Sequence, residues 1–184
     1  MDVMIALETL STRPDAAIIQ IGAVLFEPKS GGKILNSKAF DCHILVQDGC
    51  GVIDHSTLAF WLQEKSAARM GEKLEEEAVP LPQALQEFIG WPSEFNLGVP
   101  WGDIGAVWAK PSNFDLSILA SAFARFGIDP PWDHRKTRCA RTLFSITGEP
   151  EIDWGGFVHH DAKDDAIGQA MQVQKAMGLL EGKI

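Results

Sequence analysis

The sequence is short of positive charge. It contains 16 Lys and Arg against 25 Asp and Glu, which gives a formal net charge of −9. Proteins that coat nucleic acid take their affinity from many Lys and Arg contacts with phosphates, so this balance argues against that class. It does not exclude a protein that holds only the end of a strand and uses metal ions as the local positive charge.

Cysteines and long apolar runs are also scarce. The three cysteines, Cys42, Cys50 and Cys139, are an odd number without metal-ligand spacing, which favours reduced thiols in a cytoplasmic compartment. No apolar run reaches the roughly 18 residues of a membrane span, and the N-terminus lacks a secretory pattern. With 184 residues, 46% of them hydrophobic, the chain can bury one core, and we expect a single domain over residues 1–184.

The pattern of apolar residues predicts a mixed α/β domain. Strands are predicted over residues 3–7, 16–28 and 33–45, joined without intervening helices and therefore antiparallel. A loop is predicted over residues 94–100, and a further strand over residues 107–109. Helical spacing predicts helices over residues 54–74, 81–89, 116–127, 141–146 and 161–180. This order predicts a partly antiparallel sheet covered by helices.

Three acids lie where these elements end or begin. Glu8 ends the first strand, Asp115 precedes a helix, and Asp165 lies in the first turn of the last helix. Such carboxylates would repel one another unless cations lay between them, and their oxygens suit Mg²⁺ or Mn²⁺. Taken singly, each acid also has a structural explanation: a solvated strand end, a helix cap, or a favourable interaction with the helix dipole.

The ordered set of short motifs resembles a known family. The motifs are "LET" after a strand, "NFD" at a helix start and "HDAKDDA" at the last helix, together with "GAVLF" and "GVID". They resemble the DEDDh 3′–5′ exonucleases of the RNase T and DnaQ-like superfamily, and most closely the phage and bacterial exonuclease-VIII-like exoribonucleases. The resemblance implies an RNase H-like fold, with a five-stranded mixed sheet, antiparallel in its first three strands, flanked by α-helices.

The resemblance also implies roles for particular residues. Glu8, Asp115 and Asp165 match the acids that hold two Mg²⁺ or Mn²⁺ ions, and Glu8 is counted with the catalytic residues. His160 matches the histidine that acts as general base; His159 competes for this role, but His160 has the family spacing to Asp165-Ala166. Candidate substrate contacts are Thr9, Leu10, Trp61, Asn113 and Phe114, although Trp61 also fits a core position.

The first motif departs from the family at one residue. The family has Asp-x-Glu, whereas this chain has Ala6-Leu7-Glu8. Alternation along a strand puts residues 6 and 8 on one face, so an acid at position 6 would join Glu8. Asp2 cannot replace it, because four strand residues separate Asp2 from position 6 by about 13 Å. Two explanations are open: an Asp-to-Ala substitution that stops turnover, or a natural relative that binds without cleaving. In either case we expect Ala6 to impair catalysis.

The implied activity is hydrolysis of nucleic acid from its 3′ end to nucleoside 5′-monophosphates. The expected partners are single-stranded RNA or DNA, or 3′ overhangs, and no membrane. A homodimer is left open, and the compartment expected is the bacterial cytoplasm, or the host cytoplasm for a phage-encoded protein.

Overall fold

The computed structural model describes residues 1–93 and 98–182. Its strands are β1 (Asp2–Thr9), β2 (Ile18–Phe26), β3 (Phe40–His43), β4 (Val107–Ala109) and β5 (Thr137–Cys139). They form one sheet in the order β3-β2-β1-β4-β5. Strands β1, β2 and β3 pair antiparallel, whereas β4 lies parallel to both β1 and β5. The predicted mixed sheet, antiparallel in its first three strands, is confirmed.

Six α-helices accompany the sheet in the described part of the chain. They are α1 (His55–Trp61), α2 (Ala67–Glu76), α3 (Leu81–Gly90), α4 (Ser112–Arg125), α5 (Ala140–Thr147) and α6 (Ala162–Glu181). None of these helices combines the length and apolar character that crossing a bilayer requires.

Strand β1 is the centre of the sheet and is buried on both faces. Its side chains alternate: Val3, Ile5 and Leu7 join the apolar cluster that includes residues of α3 and α4. Met4 and Ala6 join a second cluster, which includes residues of α5 and α6. Because the period of a strand is two, Glu8 continues the row of Met4 and Ala6 toward α6.

The helix predicted over residues 54–74 is two helices. Trp61 of α1 and Met70 of α2 belong to one apolar cluster, together with Leu10 and Ile19. In a continuous helix, nine residues at 100° each would place these two side chains on opposite faces. The break between α1 and α2 lets both contact the same cluster, so tertiary packing overrides the local helical pattern.

Other boundaries also differ from the prediction. A short 3₁₀ turn over Asn36–Lys38 interrupts the third strand predicted over residues 33–45, leaving β3 as a four-residue strand. Helix α4 begins at Ser112, so Asp115 lies within its first turn rather than before it. The predicted loop over residues 94–100 falls partly on residues 94–97, which lie outside the described residues.

Candidate active site

Two of the three predicted acids meet at the end of β1. Glu8 and Asp115 are almost fully buried, with 8% and 5% of their surfaces exposed. The Asp115 Oδ1 atom accepts a hydrogen bond of 3.0 Å from the backbone amide of Leu7, so the first turn of α4 is tied to the strand residue that precedes Glu8. This contact joins segments 108 residues apart in the chain.

The third acid is positioned by the start of α6. Residue Gly22 of β2 lies opposite Ala6 in the sheet register, and a Cβ atom at Gly22 would lie only 2.1 Å from the carbonyl carbon of Ala162. The helix therefore begins in direct contact with the sheet. The buried Gln20, opposite Glu8, accepts a hydrogen bond from the Ala162 amide at 2.9 Å and fixes this start. Asp165, one turn further along, is thereby held on the side of Glu8.

The three carboxyl groups influence one another electrostatically. Burial, followed by the charges of Asp165 and Asp115, raises the pKa of Glu8 well above its usual value. Burial raises the pKa of Asp115 to about 7, against the opposing effect of the Leu7 amide. Burial also raises the pKa of Asp165 to about 6. The fold therefore concentrates acidic groups at a point where their ionised forms are poorly compensated.

The donor chemistry of this group fits Mg²⁺ or Mn²⁺. All three side chains offer oxygen, the ligand that these ions prefer, and a cation would relieve the repulsion that raises their pKa values. Within residues 1–93 and 98–182, however, no three His, Cys, Asp or Glu side chains are gathered closely enough to ligate one ion. Binding therefore requires the carboxylates to draw together. Ala6, beside them in the row of β1, contributes no side-chain oxygen.

Residue His160 lies two residues before the start of α6, in a constrained position. Its φ of +57° is the one left-handed non-glycine conformation among the described residues, in a region that such residues seldom adopt. Its Nε2 atom is 3.9 Å from a carboxylate oxygen of Glu64, and its ring packs edge-on against Phe60, with 5.1 Å between centroids. Burial and the charge of His159 lower the pKa of His160, which favours the neutral imidazole that a general base requires.

Of the two histidines, His159 interacts electrostatically with one of the three acids. The charge of His159 acts on Asp165 and lowers its pKa, against the dominant effect of burial. The centroids of the His159 and His160 rings are 4.4 Å apart. The role of His160 therefore stays a prediction, and its competitor His159 is the histidine whose charge acts on a predicted metal ligand.

An open cleft of about 370 Å³ adjoins Glu8. It is lined by Leu7, Glu8, Thr9, Thr12, Ser56, Thr57, Phe60, Trp61 and Phe114. Three predicted substrate contacts, Thr9, Trp61 and Phe114, are therefore in its wall. The Trp61 indole N–H donates to the Thr9 carbonyl at 3.0 Å, so this ring is a core residue that also forms a wall.

The other two predicted contacts do not line this cleft. Leu10 lies in the apolar cluster with Trp61, and its backbone amide and carbonyl are paired with Ala17 and Asp54. Its side chain is therefore packed within the fold and its backbone polar groups are paired. Asn113 is exposed on the first turn of α4 but is outside the cleft wall.

Sequence reasoning missed three residues beside the acids: Gln20, Phe60 and Glu64. Gln20 gave a signal, since it is a polar residue within an otherwise apolar strand, and its amide also donates to Asp41 at 2.9 Å. Phe60 and Glu64 gave none, because their position depends on the break between α1 and α2. The charge of Glu64 contributes to the raised pKa of Glu8.

The raised pKa values predict how the stability of the folded chain depends on pH, and bound metal should reverse this dependence. A carboxyl group with a folded pKa above its unfolded value binds more protons in the folded state, so without metal the stability falls as pH rises from about 4 to about 7. We expect the melting temperature in EDTA to be higher at pH 5 than at pH 7.5, and Mg²⁺ or Mn²⁺ to raise it mainly at pH 7.5.

Two variants control this melting experiment. Asp115→Asn removes a titrating group but keeps an oxygen that can accept from Leu7, so it should flatten the profile. Glu72→Gln, at an exposed position on α2, should leave the profile as in the parent. A parent that becomes more stable toward pH 7.5 in EDTA would contradict the prediction.

Comparison with known proteins identifies the family and the fold. A family model, the Rv2179c-like 3′–5′ exoribonuclease domain, matches residues 1–177. No curated protein matches the chain. One similar solved structure is the nuclease domain of 3′hExo, a DEDDh family member bound to rAMP, with a TM-score of 0.58 and 14% identity over 98% of this chain and 91% of that one.

A second similar structure is cell-death related nuclease 4 (CRN-4), with a TM-score of 0.53 and 16% identity. The match covers 95% of this chain but 63% of the CRN-4 chain. At these identities the structures show a shared fold, the RNase H-like fold of DEDDh nucleases. The family model, which covers nearly the whole sequence, shows more: the chain belongs to the Rv2179c-like 3′–5′ exoribonuclease domain family.

Proposed function

We propose that the protein is built as a two-metal-ion 3′–5′ exonuclease that converts single-stranded RNA or DNA, or 3′ overhangs, to nucleoside 5′-monophosphates. One observation carries the proposal: in a member of an exoribonuclease domain family, the buried Glu8 of β1 and Asp115 of α4 and the half-buried Asp165 of α6 interact electrostatically beside an open cleft lined by aromatic side chains. The motifs favour the phage and bacterial exonuclease-VIII-like branch of the superfamily.

Each side chain has a proposed task in the reaction. Glu8, Asp115 and Asp165 would hold the ions, which when bound activate water and stabilise the leaving oxygen. His160 accepts a proton from the attacking water at a ring nitrogen. The water oxygen bonds to the phosphorus of the last phosphodiester, and the bond from phosphorus to the 3′ oxygen breaks. The products are a nucleoside 5′-monophosphate and a strand that ends in a new 3′ hydroxyl.

The open cleft beside Glu8, which we call the aromatic cleft, is the proposed site of the terminal nucleotide. Its volume of about 370 Å³ falls in the range of small-ligand sites. Phe60 and Phe114 offer apolar faces on which any base can stack, with Trp61 as a more deeply buried wall. The similar nuclease domain of 3′hExo was solved with rAMP, a nucleoside monophosphate, and we infer the same ligand class for this cleft.

Ala6 supports a second candidate function. The chain lacks one of the four acids of the DEDDh pattern, so in its present form it would hold strand ends while cleaving slowly or not at all. A natural end-binding protein and a trapped nuclease share this geometry. They differ in whether an acid at position 6 restores turnover.

The direction of cleavage tests the proposed reaction. The Ala6→Asp chain, with Mg²⁺ or Mn²⁺, is incubated with RNA and DNA strands labelled at either the 3′ or the 5′ end. We expect a 3′ label to appear at once as mononucleotide, while a 5′-labelled strand shortens through a ladder. Immediate release of a 5′ label, or internal fragments, would contradict 3′–5′ exonucleolysis. A strand blocked by a 3′ phosphate serves as control for end recognition.

A further inference from the structure

A second depression, separate from the aromatic cleft, has a different character. It has a volume of about 540 Å³ and is lined by Lys110, Arg141, Phe144, Ser145 and Glu149. We call it the basic groove. The aromatic cleft is lined by no Lys or Arg, and the two depressions share no lining residue. They therefore offer separate surfaces for the bases and the phosphates of one strand.

One wall of the basic groove is held rigid by a polar network. The Lys110 ammonium group forms an ion pair with Glu149 and donates to the side-chain oxygen of Gln172 at 3.2 Å. The Gln172 amide in turn donates to the Pro150 carbonyl at 3.0 Å. The ammonium also lies 5.3 Å from the centre of the Phe144 ring. Lys110 is thus fixed, and its charge is largely balanced by Glu149.

The guanidinium of Arg141 is not paired in this way, although its charge adds to the effect of Lys110 that lowers the pKa of Glu149. Its side chain is exposed on the first turn of α5, and its guanidinium has no hydrogen-bond or ion-pair partner among the residues that the structure describes. Arg13 and Arg69 instead face carboxylates, and Arg125 donates to backbone carbonyls. In a chain of net charge −9, an unpaired guanidinium in a groove is available to an anionic ligand.

The basic groove adjoins the acids. Gln172 lies two turns beyond Asp165 on α6, about 10 Å along the same face of the helix. Lys110 immediately precedes Pro111, whose carbonyl accepts from the amide of Asp115. The charge of Arg141 also acts on Asp115 and opposes the rise in its pKa. A strand whose 3′ end lies at Glu8 can therefore extend from the acids into this groove.

We propose that the basic groove binds the phosphates upstream of the 3′-terminal nucleotide, with Arg141 as the contacting residue. This inference rests on the proposed function and deepens it, since it gives the substrate a second contact surface besides the aromatic cleft. The planar guanidinium can donate two parallel hydrogen bonds to one phosphodiester. The fixed Lys110–Glu149 pair forms the opposite wall.

Binding of oligonucleotides tests this path without turnover. A 5′-fluorescein single-stranded octanucleotide, as RNA and as DNA, is titrated with the parent chain and with Arg141→Gln in Mg²⁺, and strand integrity is checked on a denaturing gel. We expect Arg141→Gln to weaken binding roughly tenfold. The slope of log affinity against log salt should shrink by about 0.7, the value for one phosphate contact on a single strand. Competition by AMP should stay within about twofold of the parent, because a mononucleotide has no upstream phosphate.

A matched variant separates contact from overall charge. Arg138→Gln makes the same charge change three residues earlier, but the Arg138 guanidinium donates to the Arg135 and Thr137 carbonyls and lies outside the basic groove. It should weaken octanucleotide binding less than about twofold, and thermal melts verify that both variants are folded.

The outcomes distinguish this inference from the proposed function. If the parent binds the octanucleotide and Arg141→Gln binds it equally well, or if Arg138→Gln loses as much affinity, the phosphate path is wrong and the proposed function stands. If the parent binds neither the octanucleotide nor AMP with Mg²⁺ present, the proposed function fails and this inference fails with it.

Discussion

Replacing Ala6 with aspartate is expected to raise the rate of 3′-end hydrolysis by more than about 100-fold, because loss of even an outer-shell partner of a metal ligand costs 10–100-fold. Ala6 is 5% exposed and precedes Glu8 in the row of β1 side chains that faces α6. A carboxylate there would add the missing oxygen ligand beside Glu8.

The same substitution should make stability depend more strongly on metal. Without a divalent ion, another acid next to Glu8 adds repulsion at a buried position, so the melting temperature of Ala6→Asp in EDTA should fall below that of the parent. With Mg²⁺ or Mn²⁺ the order should reverse.

Asparagine provides the matched control at position 6. Ala6→Asn has nearly the shape of the aspartate but no charge, so it should restore little activity and give a smaller metal-dependent change in melting temperature. If Ala6→Asp binds metal and 3′ ends but shows no hydrolysis, the chain is a natural end-binding protein rather than a trapped enzyme.

Replacing Gly22 with alanine is expected to destabilise the fold by about 3 kcal/mol or more, at or beyond the upper end of ordinary overpacking costs. The added Cβ would lie 2.1 Å from the carbonyl carbon of Ala162 and 2.2 Å from the amide nitrogen of Lys163. Both atoms are backbone, so no rotamer change relieves the clash. The start of α6 must move away from β2, and Asp165 moves with it.

Gly71→Ala is the matched control for Gly22→Ala. Gly71 lies in α2, and a Cβ there would have no neighbour within 4 Å. This control should stabilise the protein by up to about 1 kcal/mol, the difference in helix propensity between the two residues. Denaturant unfolding gives both values, and metal-induced stabilisation should be weaker in Gly22→Ala. Equal unfolding midpoints for the two variants would show that α6 does not begin in contact with Gly22.

The sequence predicts the strands near the site better than the connections between them. Residues 107–109 are predicted as a strand and form β4, because a buried parallel strand is a short apolar run. Strand β5, with the sequence Thr137-Arg138-Cys139, lacks such a run, so the sequence does not predict it. It pairs only through its backbone with β4 at the sheet edge, which leaves no signal in the side chains.

The candidate acids could be predicted, but their supports could not. Glu8, Asp115 and Asp165 were recognisable from their motifs. The hydrogen bonds from the Leu7 amide to Asp115 and from the Ala162 amide to Gln20 join residues more than 100 positions apart. No local pattern specifies such contacts, since they arise only when β1, β2, α4 and α6 are assembled. For the same reason, no local pattern specifies that the Leu10 side chain packs in the cluster around Trp61.

Anomalous diffraction from crystals grown with Mn²⁺ tests the metal site most directly. The Ala6→Asp protein should show Mn²⁺ peaks in contact with the carboxylates of Glu8, Asp115 and Asp165, and the parent should show weaker or fewer peaks at the same place. Peaks confined to other acids, with the carboxylates of Glu8, Asp115 and Asp165 free of metal in both proteins, would contradict a nuclease metal centre at the end of β1.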